Sequence, residues 1–183
     1  MLPRDRMDVP VLLHSRVKIE RAAPGEVFDA RLATPFAVLG IRTAGDRLMG
    51  IEYLPRGAAT LAPVNKFAAK VCRQIEKYLD DPGFEFDLPF DFRGTDFQQR
   101  VWRVIHAIPS GSTLTYLDVA RQLKSAPRPV GGACGANRSP LVIPCHRVVG
   151  SSGIGGFMHA SGGEPIQIKQ WLLRHEHAPA NRA

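Results

Sequence analysis

Apolar residues in this chain recur with two different periods, and the changes of period mark its elements. PFAVLGIRT (35–43) and RLMGIEYL (47–54) are short, β-prone apolar runs joined by Ala-Gly-Asp, which predicts a hairpin. From 64 to 79 the repeat lengthens, with Phe67, Val71, Ile75 and Leu79 on one helical face. FEFDLPF (84–90) alternates apolar and acidic residues, the signature of a strand. Thr95 and Gln98 then form a capping box, opening a helix with Phe97, Val101, Val104, Ile105 and Ile108 on one side. IPSGST (108–113) ends it, Thr115 and Asp118 open a second short helix, and SAPRPVGGACGANRS (125–139) follows. PIQIKQWLLRHE (165–176) is amphipathic. These elements predict a small β-sheet plus helix in an α/β N-terminal domain, followed by a mainly α, winged-helix-like domain with a helix-turn-helix. The expected organisation is an extension over 1–25, the α/β domain over 26–92, the helical domain over 93–177 and a tail over 178–183.

Charge divides the chain in the same place. Residues 1–90 hold 13 Lys and Arg against 12 Asp and Glu, whereas residues 91–183 hold 11 against 5. Between Phe97 and Ala160 the single acid is Asp118. A basic half of this kind suits a polyanion, and it equally suits a solvated face with no partner. The segment from Gly131 to Ala136 is nearly free of side chains, although Gly costs about 1 kcal/mol against Ala in a helix. Close approach to a minor groove only about 6 Å wide, close packing on another helix, or a loop would each explain it. No apolar run is long enough to span a membrane, and Val11–Leu13 is too short for a signal peptide. Three widely spaced cysteines suggest neither a disulfide framework nor a metal site; Cys134 and the loop residue His159 stand isolated as further ligands. A reduced cytoplasmic protein with no cofactor is expected.

IPCHRVVG (143–150) is the stretch that carries chemistry. Apolar flanks predict a buried extended chain, yet Cys145, His146 and Arg147 occupy its middle. An apolar strand gains nothing by burying an imidazole and a guanidinium unless they are used. A thiol is nucleophilic as thiolate, which a general base or cationic neighbours promote. Neighbours in extended chain face opposite ways, so His146 reaches the Cys145 sulfur only through a water or a bend at Pro144. An acid should orient that histidine, and Glu176, at the end of the last amphipathic segment, is one candidate among few in this half.

PCHRVV, preceded by GTDFQQRVWRVIHAIPSGSTLTYLDVA and RPVGGACGANRSP and followed by KQWLLRHE, resembles the O6-alkylguanine-DNA alkyltransferases (methylated-DNA–protein-cysteine methyltransferases) from about Gly94 to Glu176. The resemblance implies direct, irreversible, single-turnover transfer of an alkyl group from O6-alkylguanine, and from O4-alkylthymine, in duplex DNA to Cys145. It implies a flipped base reached through the minor groove, a monomer, and no cofactor. His146 matches the base acting through water, Glu176 the acid that orients it, and Asn137 the residue bracing the turn behind the cysteine. Tyr116 matches a tyrosine that rotates the phosphate and donates to the base edge, and Arg128 the finger that fills the vacated stack. Thr115, Gly131, Ala133, Arg138 and Arg147 are expected at the DNA, and Val148, Phe157, Met158 and Ser161 around the substrate. The loop GIGGFMHASGGEP (153–165) is longer than usual in the family and places Phe157 where a tyrosine is common.

Two other readings share the basic helix pair. An alkyltransferase-like protein would flag alkylated DNA without accepting the group, but such proteins commonly carry Trp in place of Cys145. A helix-turn-helix regulator with a redox-sensing cysteine would need neither a base pocket nor an acid at Glu176.

Overall fold

A computed structural model describes residues 28–179; the expected 1–25 extension and most of the 178–183 tail lie outside the described residues. The first half opens with β1 (Ala30–Ala33), β2 (Val38–Ala44) and β3 (Arg47–Leu54), an antiparallel sheet in that order. The β2–β3 hairpin turns where expected, with Gly45 at φ +55°, a left-handed conformation that glycine adopts without a Cβ penalty. β1 lacks a periodic signal of its own; it adds to the free edge of β2, pairing Ala30 with Ile41 and Ala33 with Val38. Across the sheet lies α1 (Lys66–Asp80), capped by Asn65, whose side chain accepts from the Ala68 amide at 2.7 Å. Its buried face runs through Phe67, Val71, Cys72, Ile75 and Tyr78, so Tyr78 takes the inward place assigned to Leu79.

The strand expected over 84–90 does not form. That stretch makes one isolated bridge, Phe90 to Leu48, because Pro89 has no amide to donate and Phe84 and Phe86 turn to each other and Tyr78 instead of to a strand neighbour.

In the second half, α2 (Asp96–His106) and α3 (Tyr116–Gln122) both begin at the anticipated capping boxes, Thr95 with Gln98 and Thr115 with Asp118. α4 (Pro127–Gly135) packs on both, with Val130 and Ala133 inward and the Trp102 indole donating to the Ala133 carbonyl at 2.8 Å. β4 (Leu114–Thr115) pairs in parallel with β5 (Val148–Val149), and α5 (Glu164–His175) closes the unit. The protein is therefore an α/β unit followed by a mainly α unit with a helix-turn-helix. One hydrophobic core runs through both, from Leu39, Ile41, Val71 and Ile75 to Val101, Ile105, Val148 and Leu172. Each such residue, buried, contributes about 1.5–3 kcal/mol.

The halves are also pinned by polar contacts. The Ile51 amide of β3 donates to the Arg138 carbonyl at 2.9 Å. A Cβ on neighbouring Gly50 would stand 3.0 Å from that carbonyl, so glycine lets the strand approach the turn after α4. Phe36 packs on Trp171 of α5 at 4.7 Å between ring centroids.

Candidate active site

The predicted extended chain around Cys145 is instead a turn. Cys145–Arg147 form one turn of 3-10 helix after Pro144, and the chain becomes extended again at Val148. Hydrogen-bonded turn geometry satisfies the backbone of three consecutive polar-bearing residues inside the core, which a lone strand with no partner there would not. The bend lets Cys145 face a cavity while His146, beside it, faces the interior.

Asn137 holds the cysteine from behind. Its Nδ2 donates to the Ile143 carbonyl at 2.8 Å and to Cys145 Sγ at 3.0 Å, while its Oδ1 accepts from the Ser139 amide at 2.9 Å. One amide side chain thus fixes both ends of the loop between α4 and the 3-10 turn. Burial raises the Cys145 thiol well above its ordinary pKa, and the neighbouring Cys134 thiol adds to this; Asn137 and Lys169 pull the other way. The resting sulfur is a protonated thiol that needs a base.

His146 is buried, and its Nε2 donates to Glu176 Oε1 at 2.9 Å. Burial lowers the His146 pKa against the pull of Glu176, so the imidazole is neutral near pH 7. Glu176 caps the C-terminal end of α5 and is buried too. Burial drives its pKa upward, but His146 and Arg147 outweigh that and hold it at about 2. Of those two, the Arg147 fork carries the charge, because a neutral His146 brings only its hydrogen bond. The fork is close: Arg147 Nε reaches Glu176 Oε2 at 2.9 Å and Nη2 reaches Oε1 at 2.8 Å. A further donor comes from the other half of the chain, where the Tyr78 hydroxyl reaches Oε1 at 2.7 Å.

In front of the cysteine lies a cavity of about 560 Å³. Tyr116, Arg128 and Gly131 line it, with Phe157, Met158 and Ser161 opposite. The Tyr116 hydroxyl donates to the Gly156 carbonyl at 2.9 Å, and Lys169 donates to the same carbonyl at 2.8 Å and to that of Val148 at 2.7 Å. The long loop is thereby tied to the floor of the cavity. At its tip Phe157 and Ala160 exchange both backbone hydrogen bonds around Met158 (φ +52°) and His159 (φ +60°), a tight hairpin built on left-handed residues. The His159 ring lies over Gly135 of α4, where any Cβ would collide with it.

Several expected contacts are redirected. The Arg147 guanidinium, expected at the DNA, is engaged inside the protein by Glu176 and by the Ile108 carbonyl. Val148 is fully buried in β5 and lines no part of the cavity, though its carbonyl holds Lys169. Ala133 faces the core of the helix pair, leaving Gly131 and the open Gly132 on the cavity side of α4. Thr115 is buried, with its hydroxyl engaged by Asp118. Arg128 and Arg138 are exposed.

Sequence reasoning passed over three residues. Lys169 carries a legible signal, since Ile166, Lys169, Leu173 and Glu176 share one face of α5 and two of them are charged. Burial lowers its pKa to about 8, against the two nearby thiols. Tyr78 was hidden on an ordinary helical face. Tyr53, whose ring packs on Phe157 at 5.8 Å, has a buried hydroxyl with no hydrogen-bond partner among the described residues, and nothing local announces it. Among the described residues no group of three or more His, Cys, Asp or Glu is placed to hold a metal ion, and no helix is long and apolar enough to cross a membrane.

Residues 96–178 match the family model described as 6-O-methylguanine DNA methyltransferase, DNA binding domain. The chain is 38% identical over 140 residues to a methylated-DNA–protein-cysteine methyltransferase of Mycolicibacterium paratuberculosis, covering 74% of this chain and 81% of that protein. It is similar to the crystal structure of Mycobacterium tuberculosis O6-methylguanine methyltransferase, with a TM-score of 0.67 and 35% identity, over 82% of this chain and 94% of that one. It is also similar to M. tuberculosis OGT in complex with DNA, with a TM-score of 0.65 and 36% identity over the same shares.

Proposed function

This chain belongs to the methylated-DNA–protein-cysteine methyltransferases, and from that premise we propose that Cys145 is a single-use acceptor for an alkyl group on guanine O6 in duplex DNA. The observation that carries the reading is the line Asn137–Cys145–His146–Glu176 at the floor of a cavity open between α4 and the 153–165 loop.

The lesion strand lies along α4, whose small residues Gly131 and Gly132 admit the backbone, and the alkylated base rotates into the cavity. Arg128, exposed at the start of α4, fills the gap left in the stack. Arg138 is an exposed cation for the neighbouring phosphates. Phe157 and Met158 flank the base, and Ser161 offers a hydroxyl at the rim. Tyr116 sits where the base edge arrives; its phenol is kept protonated by burial and donates to the base by exchanging its hydrogen bond from the Gly156 carbonyl.

The thiol proton leaves through a water to His146. Nε2 is held by Glu176, so Nδ1 receives it. The imidazolium that forms is stabilised by the Glu176 carboxylate, which Arg147 and Tyr78 keep ionised and aimed. Sγ then attacks the alkyl carbon in line: the C–S bond forms as the C–O6 bond breaks, and the electron pair stays on oxygen. The proton lost by the thiol is balanced by the one the released guanine takes up. A thioether is a poor leaving group, so the protein ends its working life alkylated. O4-alkylthymine presents the same alkyl–oxygen bond to the same thiol.

Stoichiometry tests this. Protein mixed with excess duplex carrying O6-methylguanine should repair one lesion per molecule and stop. Continued repair beyond that ratio would exclude the single-use acceptor. Tight lesion binding with no repair would move the protein to the lesion-flagging class.

A further inference from the structure

The transfer chemistry uses one thiol, yet the cavity holds two. Cys134, half-buried on α4, lines the same wall as Cys145. Asn137 links them: its amide donates to the Cys134 carbonyl at 3.3 Å, and its side chain to Cys145 Sγ at 3.0 Å. Both thiols line one cavity with Tyr116, the Cys134 thiol bears on Cys145, and both bear electrostatically on Lys169 and Tyr116. A second thiol there does not help alkyl transfer, because it makes the Cys145 thiolate harder to form. The remaining cysteine, Cys72, is buried on α1 in the other half.

We propose that Cys134 and Cys145 form a reversible disulfide when the protein meets a peroxide, so that Cys145 is protected from oxidation while it waits for a lesion. Cys134 reacts first because it is the more exposed thiol; Cys145 is only 5% accessible. The peroxide O–O bond breaks, Cys134 Sγ takes one oxygen to become a sulfenic acid, and water leaves. Cys145 Sγ then attacks the Cys134 sulfur, the S–O bond breaks, and the departing hydroxide takes the Cys145 proton as a second water. Two thiols give up two electrons and two protons, and the peroxide receives them. Bringing the sulfurs to a bond of about 2.05 Å requires the last turn of α4 to shift. Gly132, with nothing within 4 Å of where a Cβ would be, leaves that turn room to move, and the loop ring of His159 that lies over Gly135 moves with it. The disulfide follows from the thiol pair alone; its protective meaning rests on Cys145 being the alkyl acceptor.

The test uses the full chain, treated with a small excess of hydrogen peroxide, blocked at free thiols and mapped by peptide mass. A Cys134–Cys145 cross-linked peptide short of two hydrogens is expected, with Cys72 recovered as a free thiol. Methyl-accepting capacity should fall in proportion to the cross-link and return with dithiothreitol. In Cys134→Ser the same treatment should give no loss that dithiothreitol restores. The proposal is overturned if Cys145 appears as a sulfinic or sulfonic acid while Cys134 stays free, or if Cys134→Ser still shows the reversible loss. The mapping of the unaltered protein requires no variant to fold. A cross-link that forms in a protein whose reduced form accepts no methyl group leaves the thiol pair standing and removes the transfer reading instead.

Discussion

Glu176→Gln should change the pH dependence of stability in a calculable way. Glu176 is fully buried and accepts from His146, Arg147 and Tyr78, and its pKa is about 2 against an ordinary 4.5. A folded-state value below the unfolded one means stability that is complete above the unfolded pKa and is lost as pH falls through the folded one. The shift corresponds to roughly 3 kcal/mol in all, of which roughly 2 kcal/mol is gone by pH 3. At neutral pH the variant leaves Arg147 without its buried partner, which costs about 3–5 kcal/mol. As pH falls below about 4.5 the carboxyl takes up a proton in the unfolded chain while the folded chain keeps it ionised, so the unaltered protein loses its advantage over the variant. The stability gap, from urea unfolding at pH 7, 5, 4 and 3, should therefore be wide at neutral pH and narrow by about 2 kcal/mol at pH 3. His146, lowered by burial, also loses stability as pH drops below its unfolded value, but in both proteins, and so largely cancels. A gap that stays constant from pH 7 to pH 3 would refute the buried, ionised carboxylate on which the catalytic line is built.

Tyr78→Phe removes only the hydroxyl that joins α1 to Glu176 and should cost about 2 kcal/mol, read as a melting temperature lower by several degrees. An unchanged melting point would mean the hydroxyl finds water equally well. Asn137→Ala deletes the donor that favours the Cys145 thiolate, so single-turnover methyl transfer should slow and its pH profile move to the alkaline side. Gly155→Ala puts a Cβ at a φ of +70°, 2.8 Å from the Tyr116 ring and 2.9 Å from the Gly150 amide. About 1–3 kcal/mol of strain is expected, with transfer impaired more than binding to undamaged duplex in a mobility-shift assay.

The sequence announces most of the helices because their signals are local. Thr95 with Gln98, Thr115 with Asp118, and the four-residue spacing along α1 are each legible within a few residues, and each gives its element. What depends on distant partners is less visible. β1 exists because β2 offers a free edge, and 84–90 fails as a strand because Pro89 and its own aromatics find neighbours other than a ladder. Around Cys145 the residue types disclose chemistry, but apolar flanks read as extended chain where the fold needs a turn. Arg147 beside a cysteine in a basic half looks like a phosphate contact; only the position of Glu176 at the end of α5 turns it inward. Tyr78 reaches the same carboxylate from 98 residues away, a contact no window of sequence contains.

The central claim is that an alkyl group ends on Cys145. The measurement that tests it most directly is peptide mapping by mass after the protein is mixed with duplex DNA carrying one O6-methylguanine. The account predicts a single methyl group on the Cys145 peptide, in step with restored guanine in the DNA, and none on the Cys134 or Cys72 peptides. Repaired DNA with the methyl group elsewhere, or a bound lesion with Cys145 unmodified, would contradict it.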